Sequence, residues 1–105
     1  MNNRSLTLDG TVQSLADAIT GGDRDSIRYL SIQADPANTA VVYLGSRVGG
    51  VDTTLSASNF WQIIPIPVSS IPAAPIIFEF SQNIMSLNDF EVLGTSTEII
   101  HIGWI

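Results

Sequence analysis

The stretch Ile27-Arg28-Tyr29-Leu30-Ser31-Ile32-Gln33-Ala34 decides the fold class. Successive side chains of an extended strand point to opposite faces, so Leu30, Ile32 and Ala34 share one face and Tyr29, Ser31 and Gln33 the other. The same alternation recurs outward along the chain. In residues 97–105, Ile100, Ile102 and Trp104 oppose Ile99, His101 and Gly103. In residues 76–80, Ile76, Phe78 and Phe80 oppose Glu79. Residues 40–44 are rich in β-branched side chains, which favour strands. Residues 90–93 read as a further short strand. Residues 60–66 are apolar on both faces, which predicts a strand covered on both sides.

Turn signals separate these runs: Asp9-Gly10, Gly21-Gly22-Asp23, Asp35-Pro36, Gly49-Gly50, Ile71-Pro72, Gln82-Asn83 and Gly94. Residues 5–8 and 11–15 flank Asp9-Gly10, a pattern that predicts a hairpin. Residues 14–19 have helix formers but are too few for an independent helix, so a strand end followed by a turn of helix or a loop is expected there. Residues 48–58 read as a loop. About eight short strands between regular turns predict an all-β chain, a single-domain jelly roll or antiparallel β-sandwich spanning residues 1–105.

The composition limits what such a domain can do. Of 105 residues, 45% are hydrophobic and only 13% charged, where soluble domains usually carry about 25% charge. Much of the surface must therefore be neutral, or covered by another molecule. The net charge of −6 opposes binding to nucleic acid and to anionic membranes. With no cysteine, the chain is expected to fold without disulfides in a reducing cytosol. The start, Met1-Asn2-Asn3-Arg4-Ser5-Leu6, has no basic segment followed by an apolar run, so no secretory leader is expected.

Residues 63–77 contain only apolar residues, proline and serine. Pro65, Pro67, Pro72 and Pro75 rule out a membrane helix here and cannot donate to a sheet ladder. An extended arm or crossing loop at about 65–75 is expected. Trp61, Pro65, Pro67, Ile71, Pro72, Pro75, Trp104 and Ile105 are the candidate contact residues with a partner, since the arm and the last strand are apolar.

Catalytic and metal chemistry lack parts. One histidine, His101, and no cysteine cannot build a zinc motif. No Gly-x-Ser-x-Gly elbow is present, and any Ser–His–Asp arrangement has only His101 to use. Asp23 and Asp25 bracket Arg24, and Asp89 and Glu91 bracket Phe90, but these pairs read first as solvated turns and strand ends. Gly21–Ser26 lacks the full calcium-loop spacing, and Gly45-Ser46-Arg47-Val48-Gly49-Gly50 lacks the ending of a phosphate loop. Neither catalytic residues, metal ligands nor a cofactor is expected. Tyr29, Tyr43 and Trp61 could instead stack on a sugar.

One set of motifs resembles a family. Residues 27–39 lead from Ile27-Arg28-Tyr29-Leu30-Ser31-Ile32-Gln33-Ala34 through Asp35-Pro36-Ala37-Asn38-Thr39 into Val41-Val42-Tyr43-Leu44-Gly45. Ser5–Leu15 precedes them; Thr54-Leu55-Ser56 and Phe60-Trp61-Gln62-Ile63 follow. This succession resembles the small virion proteins of tailed bacteriophages. The resemblance implies a capsid cement (decoration) protein on the capsid surface of the virion. It further implies a homotrimer, with the major capsid protein as partner. A carbohydrate-binding, tail, baseplate or head-fibre module for host attachment is the alternative.

Overall fold

A computed structural model describes residues 2–18, 26–46, 55–68, 71–79 and 85–105. Among them run eight strands: β1 Asn2–Thr7, β2 Gln13–Ser14, β3 Tyr29–Ala34, β4 Val42–Ser46, β5 Gln62–Ile64, β6 Ile76–Glu79, β7 Phe90–Leu93 and β8 Ile99–Trp104. They form two antiparallel sheets, β1-β8-β3-β6 and β2-β7-β4-β5. The chain is an all-β sandwich. Its pairings couple first strand to last, second to seventh, third to sixth and fourth to fifth. That is one long antiparallel ribbon rolled over itself, the connectivity of a jelly roll.

The core lies between the sheets. Leu30 and Ile32 of β3, Val42 and Leu44 of β4, Val92 of β7 and Ile100 and Ile102 of β8 are all buried, with Leu8, Leu15, Ile27, Ile64 and Leu87 closing the ends. A fully buried side chain of this size contributes roughly 1.5–3 kcal/mol by leaving water. The alternation in β3 and β8 places these residues inward as the sequence predicts. Leu15–Ala18 is one 3-10 turn, as expected for the short helical stretch. A second 3-10 turn, Leu87–Asp89, carries a capping box in which Ser86 and Asp89 bond each other's backbone amides.

Three expectations change. Asp9-Gly10 is not a hairpin turn, because β1 pairs with β8 in one sheet and β2 with β7 in the other. Asp9 Oδ1 instead accepts from the Thr11 amide and hydroxyl, and Gly10 sits at φ 85°. The turn is a crossover between sheets. The strand within residues 60–66 is an edge strand, covered on one side alone: Ile64 is buried while Gln62 and Ile63 are exposed. Trp104, expected at a partner contact, is only 3% exposed and belongs to the core. The strand it ends is held by a neighbour: Arg28 N–H donates to the Ile105 carbonyl (2.9 Å), and Ile105 N–H donates to that of Tyr29 (3.1 Å).

Candidate functional site

The outer faces of the two sheets differ in chemistry. On the first sheet, cross-strand register sets Ser5, His101 and Gln33 in one row. The next row is Asn3, Gly103, Ser31 and Ile77. Gly103 brings no side chain to the middle of this face, so the sheet is dished there. A cleft of about 470 Å³ results, lined by Asn3, Arg4, Ser5, Tyr29, Ser31, Gln33, His101, Ile102 and Gly103.

His101 is the organised element of the cleft. Its Nε2 lies 2.7 Å from Asp35 Oδ1 and its Nδ1 lies 2.8 Å from Ser5 Oγ. A carboxylate only accepts, so in the neutral imidazole Nε2 carries the proton and Nδ1 accepts from the Ser5 hydroxyl. The Ser5 oxygen keeps its lone pairs for another donor. Asp35 is fixed in turn, because its Oδ2 accepts from the Ala37 amide at 3.0 Å. That amide, then the imidazole, hold the Asp35 carboxyl below its ordinary value. The Gln33 side-chain amide donates to the Ala73 carbonyl at 2.7 Å, tying the proline-rich segment to the wall of the cleft.

The loop behind Asp35 is held by two side chains. Asn38, 5% exposed, donates from Nδ2 to the Ile99 carbonyl (2.7 Å) and accepts the Ile99 amide at Oδ1 (3.0 Å). It thereby stands in for a strand residue opposite the start of β8. Glu98 Oε1 accepts the amides of Thr39 (2.9 Å) and Ala40 (2.8 Å).

Serine, histidine and aspartate thus join in the order of a nucleophilic triad, with the ring nitrogens exchanged relative to the serine proteases. The His101 and Asp35 side chains remain 44% and 26% exposed, so water competes at every bond. Sequence reasoning named His101 but neither Ser5 nor Asp35. They lie 96 and 66 residues from it, and only strand register brings them together.

The second sheet carries the opposite surface. Leu93, Tyr43 and Ile63 are direct cross-strand neighbours, and the Gln13–Val92 pairing sets Val12 beside Leu93. An apolar row therefore crosses β7, β4 and β5 on the outer face, and Val12, just before β2, lies at its end. Phe60 packs on Tyr43 with ring centroids 4.9 Å apart. Val12, Phe60 and Ile63 remain 39%, 40% and 42% exposed. Around the β5 edge, Trp61 stacks on Phe78 (5.1 Å) and Phe90 (6.4 Å), yet is 51% exposed. Phe60 and Trp61, adjacent in sequence, are both half in water.

Of the other predicted contact residues, Pro65, Ile71, Pro72, Pro75 and Ile105 lie at the surface and Pro67 is half-buried. Val68 and Ile71 bond each other across the tip of the arm, and both side chains project into solvent. Ala73 is buried, so the base of the arm belongs to the fold. Asp89 is engaged in the capping box, and Glu91 is buried. Residues 19–25, with the Asp23–Asp25 pair, residues 47–54, which include Arg47–Gly50 of the glycine-rich run, and residues 80–84, with Phe80 and the Gln82-Asn83 turn signal, lie outside the described residues. Among the described residues no three potential ligands cluster to hold a metal ion, and no helix is long and apolar enough to cross a membrane.

Comparison with protein-family models, with curated proteins and with solved structures finds no match to this chain.

Proposed function

We propose that the chain is a non-catalytic structural protein of a phage virion, a capsid cement protein that docks on the outside of the head. The observation that carries this reading is the apolar row Val12–Leu93–Tyr43–Ile63, extended by Phe60 and Trp61 around the β5 edge. A half-exposed apolar row of this kind, ending in the exposed Val12, Phe60, Trp61 and Ile63, is costly in water and characteristic of a surface that meets protein. Aromatic residues in it are the usual energetic anchors of an interface. Jelly rolls recur in viral capsid domains and in lectins, which agrees with the motif resemblance but fixes no function by itself.

In this reading the second sheet rests on the major capsid protein. The exposed arm tip, with Val68 and Ile71, reaches a neighbouring copy in a trimer. Repetition over a shell converts a modest contact into firm retention, because each added contact forms at high effective concentration. Mass measurement in solution and co-sedimentation with expanded heads of the cognate phage test it. The expected result is a trimer that sediments with heads and is released by Tyr43→Ser/Ile63→Ser at unchanged melting temperature. A monomer that stays in the supernatant overturns it.

A further inference from the structure

We infer that the dished outer face of the first sheet is a binding site for a neutral saccharide. The cleft of about 470 Å³ has the size of a small-ligand site. Its chemistry is that of hydroxyl recognition. Asn3 offers an amide, Ser5 and Ser31 offer hydroxyls, and Tyr29 brings an aromatic ring with a phenolic hydroxyl to the lining. The side chains of Asn3, Ser31 and Tyr29 bond no other described residue, so their polar groups are available to a ligand.

Ser5, by contrast, is pre-set. Its proton is directed at His101 Nδ1, which leaves its oxygen as a fixed acceptor toward the cleft. Asp35 orients the imidazole that does this, which reduces the entropy lost when a ligand orders both groups. The floor is Gly103, flanked by Asn3 and Ser31. A pyranose ring can therefore approach the backbone at Gly103, with the Tyr29 ring in the lining as an aromatic contact for its C–H face.

The charge pattern selects the ligand class. Arg4 is the only lining residue that carries a permanent charge, and its guanidinium donates to the Asn3 carbonyl. The chain as a whole is strongly acidic. The net charge of −6 disfavours polyanions at long range, and a lining of hydroxyls and amides with a single arginine suits a neutral, hydroxyl-rich ring better than a phosphate cluster. The proposal does not rest on the capsid reading, since the two surfaces lie on opposite sheets.

Ligand-observed NMR with the intact chain tests it. The probes are methyl glycosides of glucose, galactose, mannose and N-acetylglucosamine, and their short neutral oligomers. At least one is expected to bind in the micromolar to low-millimolar range. Binding is expected to weaken roughly tenfold in Tyr29→Ala and to vanish in Gly103→Val, which fills the floor with a strand-compatible side chain. Asn3→Ala, on an exposed position of an edge strand, provides a third variant that should fold normally and bind less. Trp61→Ala, on the other surface, should bind like the parent.

No binding below 10 mM by any probe overturns the inference. So does binding that Tyr29→Ala and Asn3→Ala leave intact in folded protein. Turnover of p-nitrophenyl acetate that disappears in Ser5→Ala would also overturn it, by reassigning the cleft to ester hydrolysis. Capture of an extended peptide along β1 in place of sugar would do the same.

Discussion

Replacing Asn38 by alanine should cost about 2–4 kcal/mol of folding stability. Asn38 is nearly inaccessible and uses both ends of its amide on Ile99, at 2.7 and 3.0 Å. The Ile99 carbonyl has a second donor, the Asp35 amide at 2.9 Å, so it stays satisfied after truncation. The Ile99 amide loses its acceptor. Two hydrogen bonds at about 0.5–1.5 kcal/mol each, with one part-buried donor left unpaired at about 1 kcal/mol or more, set that range once overlap is allowed for. For a domain whose total stability is roughly 5–15 kcal/mol, this is a large share. Urea unfolding followed by tryptophan fluorescence, with Trp104 as the buried reporter, should show the midpoint falling by about 1–2 M at unchanged slope.

Asn38→Asp separates the hydrogen-bond account from simple loss of packing. The introduced carboxyl keeps the acceptor for the Ile99 amide but turns an acceptor on the Ile99 carbonyl. Its charged form is disfavoured in the fold, so its folded pKa is raised above the unfolded value near about 3.9. A raised carboxyl favours folding when protonated and loses that advantage as pH rises through the folded pKa. The Asn38→Asp protein should therefore gain stability relative to the parent as pH falls from 7 toward 4.5. A loss below about 0.5 kcal/mol in Asn38→Ala, or a pH-independent difference in Asn38→Asp, would refute the reasoning.

Gly94→Ala should destabilise by about 1–3 kcal/mol, because a Cβ there would stand 2.5 Å from Leu8 Cδ1 and 3.2 Å from Val42 Cγ2. Thermal melting checks it, and Leu8→Val in the same chain should restore part of the loss. Asp9 and Asp35 both titrate below the ordinary 3.8, Asp9 chiefly through the Thr11 hydroxyl and Asp35 chiefly through the Ala37 amide. Depressed carboxyls support the fold above their unfolded value and lose that support as pH falls through the folded one. Stability should therefore drop below about pH 3.8, and the drop should be shallower in Asp9→Asn/Asp35→Asn; an identical acid limb would contradict the assignment.

Local pattern and nonlocal pairing were not equally readable in the sequence. The two-residue alternation of β3 and β8 places Leu30, Ile32, Ile100 and Ile102 inward, because burial of one face leaves a periodic mark along the chain. Which strand lies beside which leaves no such mark. The Asx turn at Asp9–Thr11 has the same local chemistry whether the chain returns to its own sheet or crosses to the other. Here the register of β1 with β8 decides it. The apolar run around β5 misled for a related reason: hydrophobic side chains on both faces read as burial on both faces, yet the outer ones form the exposed row with Tyr43 and Leu93. An apolar last strand is equally compatible with the core and with a partner contact, and the inward parity of Trp104 in β8 places it in the core. The cleft was illegible because Ser5, Asp35 and His101 meet only through sheet register.

The two proposals rest on one asymmetry of the rolled ribbon. Each sheet takes its outer residues from four strands distant in sequence, so its surface chemistry is composed by pairing. The first sheet collects Asn3, Ser5, Ser31, Gln33 and His101 around a glycine. The second collects Val12, Leu93, Tyr43 and Ile63. A free-standing soluble domain gains nothing from making one face greasy. A protein resting on a larger particle needs one face to bury and another to leave in water. Docking by the second sheet turns the first sheet, with its cleft, outward. The surfaces can then be broken one at a time: Tyr43→Ser/Ile63→Ser should abolish docking and spare sugar binding, and Tyr29→Ala should do the reverse. If either variant removed both activities while the protein stayed folded, the two faces would not be independent, and the division of labour proposed for the sandwich would be wrong.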